Sequence, residues 1–289
     1  MTDGAWAADP CLTWADGRFY LYPTSDGFPN WGATAFRAYS SPDLAAWTDH
    51  GDVLSLGTDV SWTSGPGWAP SVLHDRGRHV MYFTAGGNCI GAAAALSPLG
   101  PFTDLGRPLV ESDRWPGMAI DPSAFVDSDG QAYLLWGNGV LHIVPLDGDL
   151  VSFDPGRVVS HVPGDFREAG FLHRRGERYY LSWSEGDTRS ADYQVCYATG
   201  PSPLGPWTER EPLLRKDVAD GVLGTGHHSI LQLPGTDRWV IAYHAFEPGS
   251  DGYHRAVRFD PLSYDDDGLL REATPADAFT VNQKDLNER

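Results

Sequence analysis

The stretch DPSAFVDSDGQAYLLW, residues 121–136, contains the unit that recurs through the rest of the chain. An apolar segment follows Asp121-Pro122, a turn rich in Asp and Gly interrupts it at residues 127–130, and a run of apolar and aromatic side chains ends at Trp136. Two β-favouring runs separated by turn residues are typical of a β-hairpin. The stretch therefore predicts a hairpin whose first strand begins with an acid.

Four further units of the same kind are present. They begin at Asp9, Ala69, Glu168 and His227, and their second strands carry the runs FYLY (19–22), VMYF (80–83), YYLSW (179–183) and WVIAY (239–243). Counted from residues 9, 69, 121, 168 and 227, successive units start 60, 52, 47 and 59 residues apart. Each hairpin is followed by a third strand and an outer segment with a late aromatic residue, such as Trp47 or Trp207.

Repeats of this length are the signature of a β-propeller built from four-stranded blades. The sequence therefore predicts an all-β fold, a five-bladed β-propeller that forms one catalytic domain over residues 1–289. The blades are expected at approximately residues 5–55, 65–113, 118–160, 165–214 and 222–275. A β-sandwich would contain similar strands but would not repeat this block.

The first strand of every blade lines the central channel of a propeller. The five unit starts, Asp9, Ala69, Asp121, Glu168 and His227, are therefore expected to ring one cavity at the hub. Three are carboxylic acids and one is an imidazole, although clustered carboxylates repel one another and lose hydration on burial. Acids at three of five equivalent positions indicate a chemical role for the hub.

Composition narrows the class of partner. The charge is 21 − 39 = −18, which argues against nucleic acid and anionic membrane surfaces as partners, and no apolar stretch is long enough to span a membrane. The 11 Trp, 12 Tyr and 12 Phe suit a β protein with aromatic stacking surfaces, and a neutral sugar suits an acidic protein.

The N-terminal residues MTDGAWAADP lack the features of a signal peptide. A cytoplasmic location is expected for the chain as given, or secretion if a leader was removed.

The motifs at these five positions resemble those of glycoside hydrolase family 43, in the same order, over roughly Ala7 to Thr274. They are Ala8-Asp9-Pro10, Trp68-Ala69-Pro70-Ser71, Ile120-Asp121-Pro122-Ser123, Arg167-Glu168-Ala169-Gly170-Phe171 and Gly224-Thr225-Gly226-His227-His228. Each motif alone is a weak signal, but five in register on five repeats are specific. One departure is Arg167-Glu168-Ala169-Gly170, where many relatives carry Glu-Gly-Pro. It keeps the acid, Glu168, and puts only the local loop in doubt.

The resemblance implies a role for each hub residue. Asp9 matches the general base, Asp121 the residue that orients the acid and raises its pKa, and Glu168 the general acid of an inverting hydrolysis. His227 matches a histidine near a metal ion, often calcium, or near a water cluster. Arg255 resembles a basic residue of the last blade that reaches the hub carboxylates. No cofactor is expected to be required for the chemistry. The sequence does not decide between a structural Ca²⁺ near His227 and a cluster of water molecules there.

The resemblance to the family does not determine which sugar the protein would release. Segments 22–31, 184–189 and 224–229 resemble those of arabinose-releasing members, which favours an exo-acting α-L-arabinofuranosidase on 1,5-linked arabinan or its oligosaccharides. The alternatives are a β-xylosidase or another pentose- or galactose-releasing member, and, from a different class, a non-catalytic carbohydrate-binding propeller. The expected partner is a plant polysaccharide or oligosaccharide, and the oligomeric state is left open.

Five residues are candidate contacts to the substrate. Trp68, next to the hub, is expected to stack on the sugar face, and Phe28 and Trp31 are expected to wall the pocket. Arg255 and His228 complete the set, although alternation along the strand directs His228 to the opposite side from His227, where a packed or hydrogen-bonded residue is expected.

Overall fold

A computed structural model describes residues 6–247, 249–250, 252–275 and 280–281. Nineteen strands form five antiparallel sheets, each made from consecutive segments of chain. The first two blades contain β1 (Ala7–Ala15), β2 (Arg18–Ser25), β3 (Ala35–Ser41) and β4 (Thr48–Ser55), then β5 (Gly67–Asp75), β6 (Arg78–Ala85), β7 (Cys89–Ala95) and β8 (Thr103–Asp104).

The other three sheets continue in chain order. They contain β9 (Ser123–Val126), β10 (Ala132–Trp136), β11 (Leu141–Pro145) and β12 (Val159–His161); β13 (Phe166–Arg175), β14 (Arg178–Glu185), β15 (Gln194–Gly200) and β16 (Glu211–Leu214); and β17 (Gly226–Gln232), β18 (Trp239–Phe246) and β19 (Arg255–Leu262). Short 3₁₀ turns lie at Pro29–Trp31 and Pro155–Arg157. The five sheets confirm the predicted five-bladed β-propeller, and no described helix is long and apolar enough to cross a membrane.

Blade 5 differs from the expected four strands, because the described part of its sheet has three. The described residues after β19 do not add an outer strand to this blade. Ala273 instead bridges to Leu214 at the outer edge of blade 4, and the backbone N–H of Ala273 donates to the carbonyl of Leu213 across 2.7 Å. The fifth unit has the same outer segment with a late aromatic residue, Tyr264, as the other four, so the repeat gives no sign of this departure.

The core consists of five apolar clusters, one between each pair of neighbouring blades. Successive side chains of each second strand point to opposite faces of the blade, so one strand contributes to the clusters on both sides. In β6, Met81 and Phe83 pack towards blade 1, whereas Val80 and Tyr82 pack towards blade 3. Both faces of a blade are therefore apolar, which explains why the second strands are continuous apolar and aromatic runs.

Blades 1 and 5 close the ring, and hydrogen bonds join them; among the described strands, no sheet contains strands of both blades. The N–H of Leu12 donates to Oγ of Ser229 across 3.0 Å, and the N–H of Gly27 donates to the carbonyl of Tyr253 across 3.0 Å. The cluster that contains Leu12 and Val240 fills the interface between these blades. The first and last repeats thus lie side by side, which brings their motifs to the same hub.

Candidate active site

A left-handed backbone residue marks the start of the inner strand in every blade. Asp9, Ala69, Asp121, Ala169 and His227 have φ angles of 50°, 47°, 56°, 58° and 40°. In four blades the strand pairing shifts at this point, as in a β-bulge. Such a bulge redirects a side chain, and a non-glycine residue in this conformation costs about 1–3 kcal/mol. The hub therefore holds five strained positions.

Side chains of the preceding blade stabilise these strained positions. The N–H groups of Ala69, Asp121 and His227 donate to hydroxyls on the second strand of the blade before, across 2.7, 3.0 and 2.9 Å. The acceptors are Thr24, Thr84 and Ser184. At the closure of the ring, the N–H of Asp9 donates to Nδ1 of His244 across 3.2 Å.

The blade-4 position is the exception. There the backbone N–H of Ala169 lies near the Asp121 carboxylate and opposes the rise in the pKa of Asp121. The chain of the preceding blade turns at Gly137, where φ is 139° and an added Cβ would lie 1.9 Å from the carbonyl oxygen of Val140. Blade 3 therefore uses the carboxylate at its own hub position to support its neighbour.

The position of the left-handed residue corrects one expectation, namely that Glu168 occupies the same position in blade 4 as Asp9 and Asp121 do in their blades. The residue of blade 4 that matches Asp9 and Asp121 is Ala169, and Glu168 lies one residue earlier, at the position of Trp68 in blade 2. Because successive strand residues face opposite ways, one residue changes where a side chain points. Glu168 therefore approaches the hub from a different direction than the other two acids.

Asp9, Asp121 and His227 converge at the axis. Nδ1 of His227 lies 3.3 Å from Oδ1 of Asp9 and 3.5 Å from Oδ2 of Asp121. Burial lowers the pKa of His227 to about 4, so the imidazole is neutral at pH 7. A neutral ring therefore lies between two carboxyls at the axis without adding a charge.

Arg255 supplies the positive charge of the hub. Its guanidinium Nε and Nη2 donate to Asp26 across 2.8 and 3.2 Å, and Nη1 lies 3.4 Å from Asp9 and 3.1 Å from Oγ1 of Thr188. Asp26 and Arg255 are both buried. Burial opposes the charge of Asp9, but Arg255 above all holds the pKa of Asp9 well below its usual range. Asp9 is therefore an ionised carboxylate.

Glu168 has a different environment. Tyr193 donates to its Oε1 across 2.8 Å, and Asn138 donates to its Oε2 across 2.6 Å. Burial raises the pKa of both Glu168 and Asp121, and the repulsion between these two carboxylates adds to the rise in Asp121. Coulomb repulsion acts on both partners, so the pair retains a proton at pH values where Asp9 is ionised. Tyr193 and Asn138 oppose the rise in Glu168, because they stabilise its charged form.

These groups line a pocket of about 240 Å³ at the hub mouth. Asp9, Asp121, Glu168, His227 and Arg255 all face it, as the sequence predicts. A second group of lining residues forms the walls: Trp31, Trp68, Met118, Ile120, Asn138, Arg167, Asp187, Thr188 and Arg189. Charged groups thus form the floor, and aromatic and apolar groups form part of the wall.

Trp31 and Trp68 form one aromatic wall. The indole N–H of Trp68 donates to the backbone carbonyl of Trp31 across 2.7 Å. Trp31 also packs against Tyr253, with ring centroids 4.6 Å apart, and Arg189 lies 6.0 Å from the Trp31 ring. These contacts fix both rings at the pocket, where the sequence places them.

The structure does not bring Phe28 and His228 to the pocket. Phe28 is 49% exposed and lines a separate depression beside Trp6. His228 is buried between blades 4 and 5, where Nε2 lies 2.6 Å from Oγ of Ser182 and the ring packs on Phe171. His228 therefore matches the packed residue that strand alternation predicts, and its inclusion among substrate contacts has no support in this geometry.

The hub does not have the donor set of a protein-built calcium site. Calcium takes six to eight oxygen ligands. Within the described ranges, no three His, Cys, Asp or Glu side chains are placed to hold a metal ion. Nδ1 of His227 is already directed at the Asp9 and Asp121 carboxylates. A cation near His227 would depend on water for most of its ligands.

Sequence reasoning missed four residues that support the acids: Asp26, Asn138, Tyr193 and His244. His244 lies two residues before the end of β18 and Asn138 two residues after the end of β10, near the positions of Thr24, Thr84 and Ser184. An alignment of the five hairpins could therefore have identified them. Asp26 and Tyr193 lie in the segments between strands, outside the repeated block. No feature of the repeat identifies those two.

Comparison with known proteins agrees with this geometry. Residues 4–270 match glycosyl hydrolases family 43. The chain is 31% identical to a β-D-galactofuranosidase of Aspergillus niger, over 92% of this chain and 82% of that protein. It is 30% identical to an arabinoxylan arabinofuranohydrolase of Bacillus subtilis, over 99% of this chain and 66% of that longer protein.

Solved structures give the same result. A thermostable family-43 glycoside hydrolase superposes with a TM-score of 0.83 at 27% identity, covering 95% of this chain and 94% of the other. An α-L-arabinofuranosidase from Clostridium thermocellum superposes with a TM-score of 0.77 at 28% identity, covering 96% of both chains. The chain belongs to glycosyl hydrolase family 43 and is a glycoside hydrolase.

Proposed function

We propose that the protein is an inverting, exo-acting α-L-arabinofuranosidase. The observation that carries the proposal is the opposite environment of two carboxyls in one pocket. Arg255 keeps Asp9 ionised, whereas burial and a neighbouring acid keep a proton on the pair of Asp121 and Glu168. Titratable groups whose pKa values are driven apart are the mark of a base and an acid that act together.

In the proposed reaction, Asp9 removes a proton from a water that attacks the anomeric carbon. As the new carbon–oxygen bond forms, the bond to the leaving oxygen breaks, and Glu168 donates its proton to that oxygen. An inverting site needs ~6.5–9.5 Å between its two carboxyls to admit the water. Asp121 is proposed to keep the acid protonated through charge repulsion, and Arg255 with His227 to hold Asp9 in place.

A single terminal sugar fits the size of the pocket. Its volume of about 240 Å³ is below the ~300–1,000 Å³ of pockets that hold drug-sized ligands. Trp31 and Trp68 offer faces on which a sugar ring can stack. These features favour release of one residue at a time from a chain end over cleavage within an open groove.

The relatives favour a five-membered sugar ring. By name, the proteins from Aspergillus niger and Bacillus subtilis act on galactofuranosyl and arabinofuranosyl linkages. α-L-Arabinofuranosides and β-D-galactofuranosides share the ring configuration and differ in the exocyclic group on C4. A galactofuranosidase is therefore the second candidate, ahead of a β-xylosidase, which other relatives support. A non-catalytic binding propeller is disfavoured, because all three hub acids line the pocket.

Parallel assays test the proposal. Aryl α-L-arabinofuranoside, aryl β-D-galactofuranoside, aryl β-D-xyloside and linear arabinan are incubated with the protein, with the Glu168→Gln variant as control on arabinan. We expect the highest kcat/KM on the arabinofuranoside and arabinose as the early product from arabinan. A kcat/KM on the xyloside or the galactofuranoside that is ten times that on the arabinofuranoside would overturn the assignment of the sugar.

A further inference from the structure

One wall of the pocket has no task in the reaction described so far. Met118 and Arg167 both line the pocket beside Glu168. Residues 138–139 join them: the backbone groups of Met118 and Asn138 exchange two hydrogen bonds, across 3.3 and 3.2 Å, and the N–H of Gly139 donates to the carbonyl of Arg167 across 2.8 Å. Met118, Asn138 and Arg167 therefore form one continuous surface.

This surface adjoins Oε2 of Glu168. Asn138 donates to that oxygen across 2.6 Å, and Nε of Arg167 lies 3.9 Å from it. A general acid must lie within hydrogen-bond reach of the oxygen that it protonates. The sugar attached to that oxygen, which leaves with it, must then lie on the same side of the pocket as Met118 and Arg167.

Both side chains are available to a ligand. The Arg167 side chain is 50% exposed, and within the described residues its guanidinium makes no hydrogen bond. Met118 is a large apolar side chain that is 40% exposed. A guanidinium presents a planar fork of donors that fits two adjacent oxygens, and an exposed thioether offers an apolar surface for the C–H face of a sugar.

We propose that Arg167 and Met118 form the leaving-group subsite, in which Arg167 binds a pair of adjacent oxygens on the departing sugar. The pair is either two vicinal hydroxyls or a carboxylate of a uronic acid. The inference rests on the proposed function in so far as Glu168 is the acid.

The test compares leaving groups in one enzyme. The ratio of kcat/KM for the pentosyl disaccharide to kcat/KM for the aryl pentoside measures how well the departing sugar is recognised, because an aryl group lacks the sugar oxygens. Arg167→Gln is expected to lower this ratio at least tenfold, about the effect of losing one charge-assisted hydrogen bond. Arg271→Gln, which removes an exposed charge outside the pocket, is the matched control.

Arg167→Lys separates geometry from charge. Arg167 lowers the pKa of Glu168, so Arg167→Gln should also move the basic limb of the rate profile to higher pH. Lysine keeps the charge without the fork, so the limb should stay near that of the wild type while the ratio still falls. A ratio within twofold of the wild type in Arg167→Gln overturns the subsite, even if the limb moves.

A third substrate identifies the bound oxygens. If Arg167→Gln lowers the kcat/KM ratio more for a pentosyl uronate than for the neutral disaccharide, Arg167 binds a carboxylate. If it lowers the ratio equally for both, Arg167 binds hydroxyls. The ratio is measured on whichever aryl pentoside the wild type cleaves. If that pentoside is a xyloside, the proposed sugar is wrong, while the ratio still decides the role of Arg167.

Discussion

The hydroxyl of Tyr193 donates to Oε1 of Glu168 across 2.8 Å, and the Tyr193 ring stacks on His244 with centroids 5.7 Å apart. Nδ1 of His244 in turn lies 3.1 Å from Oδ1 of Asp9. Tyr193 and His244 thus connect the proposed acid with the proposed base through buried side chains. The two carboxyls are held by one set of neighbours, and changes to those neighbours should alter the pH dependence of the reaction.

Tyr193→Phe should move the basic limb of kcat/KM to higher pH. The Tyr193 hydrogen bond stabilises ionised Glu168 and so lowers its pKa; without it, Glu168 keeps its proton to higher pH. The substitution preserves the ring and its stacking on His244. A pH–rate profile measured on an oligosaccharide checks the shift, and a basic limb that stays in place or moves towards acid contradicts it.

Asp9→Asn and Glu168→Gln should each lower turnover of the natural oligosaccharide at least a hundredfold, because general acid–base groups contribute ~10²–10⁴. The fold should survive in both, since the changes are nearly isosteric, and thermal unfolding provides the control. An activated aryl substrate needs less help from the acid, so Glu168→Gln should lose less on it. Near-normal turnover of the oligosaccharide by either variant would show that its role is misassigned.

Asp121→Asn should shift the basic limb towards acid. Removing the carboxylate removes the repulsion between Asp121 and Glu168, which lowers the pKa of Glu168. An unchanged basic limb would mean that Asp121 serves another purpose, such as binding a sugar hydroxyl.

Stability gives an independent check on the same variant. The folded-state pKa of Asp121 is raised, so this carboxyl favours the folded state at low pH and loses that contribution as pH rises through its folded-state pKa. Asp121→Asn should therefore unfold at a higher temperature than the wild type at pH 7–8, with the difference shrinking below pH 4. A lower melting temperature at pH 8 would contradict the charge repulsion.

Much of this arrangement could be predicted from the repeats. The positions of Asp9 and Asp121 follow from matching the hairpins, because a propeller places equivalent residues at one axis. The sequence predicts Glu168 one residue out of register, since the left-handed residue of every blade is not a glycine and leaves no sign in the sequence. The presence of the acid in the pocket could be predicted, but its direction could not.

Loop residues were harder to place. Phe28 and Trp31 lie on one short loop and look alike as candidate sugar contacts, yet only Trp31 lines the hub pocket. The backbone between them is left-handed at Asn30 and Trp31, with φ of 55° and 51°. Such a turn directs the two rings to different sides, and neither position carries the glycine that would announce it.

Arg255→Met should destabilise the protein by about 3–5 kcal/mol, the cost of leaving a buried charge without its partner. Asp26 is buried and receives hydrogen bonds from the backbone N–H, Nε and Nη2 of Arg255. Urea unfolding at pH 7 measures the change in the free energy of unfolding. Adding Asp26→Asn to Arg255→Met should recover part of the loss, and a loss below 1 kcal/mol in the single variant would contradict a structural role for the pair.

The anomeric form of the first product tests the central claim most directly. If Asp9 activates water while Glu168 protonates the leaving oxygen, arabinose released from an α-linked oligosaccharide appears first as the β anomer. Proton NMR in the first minutes of hydrolysis, before mutarotation equilibrates the anomers, distinguishes the two forms. We predict β-arabinose as the initial signal. An initial α anomer would show that configuration is retained and would contradict direct attack by water.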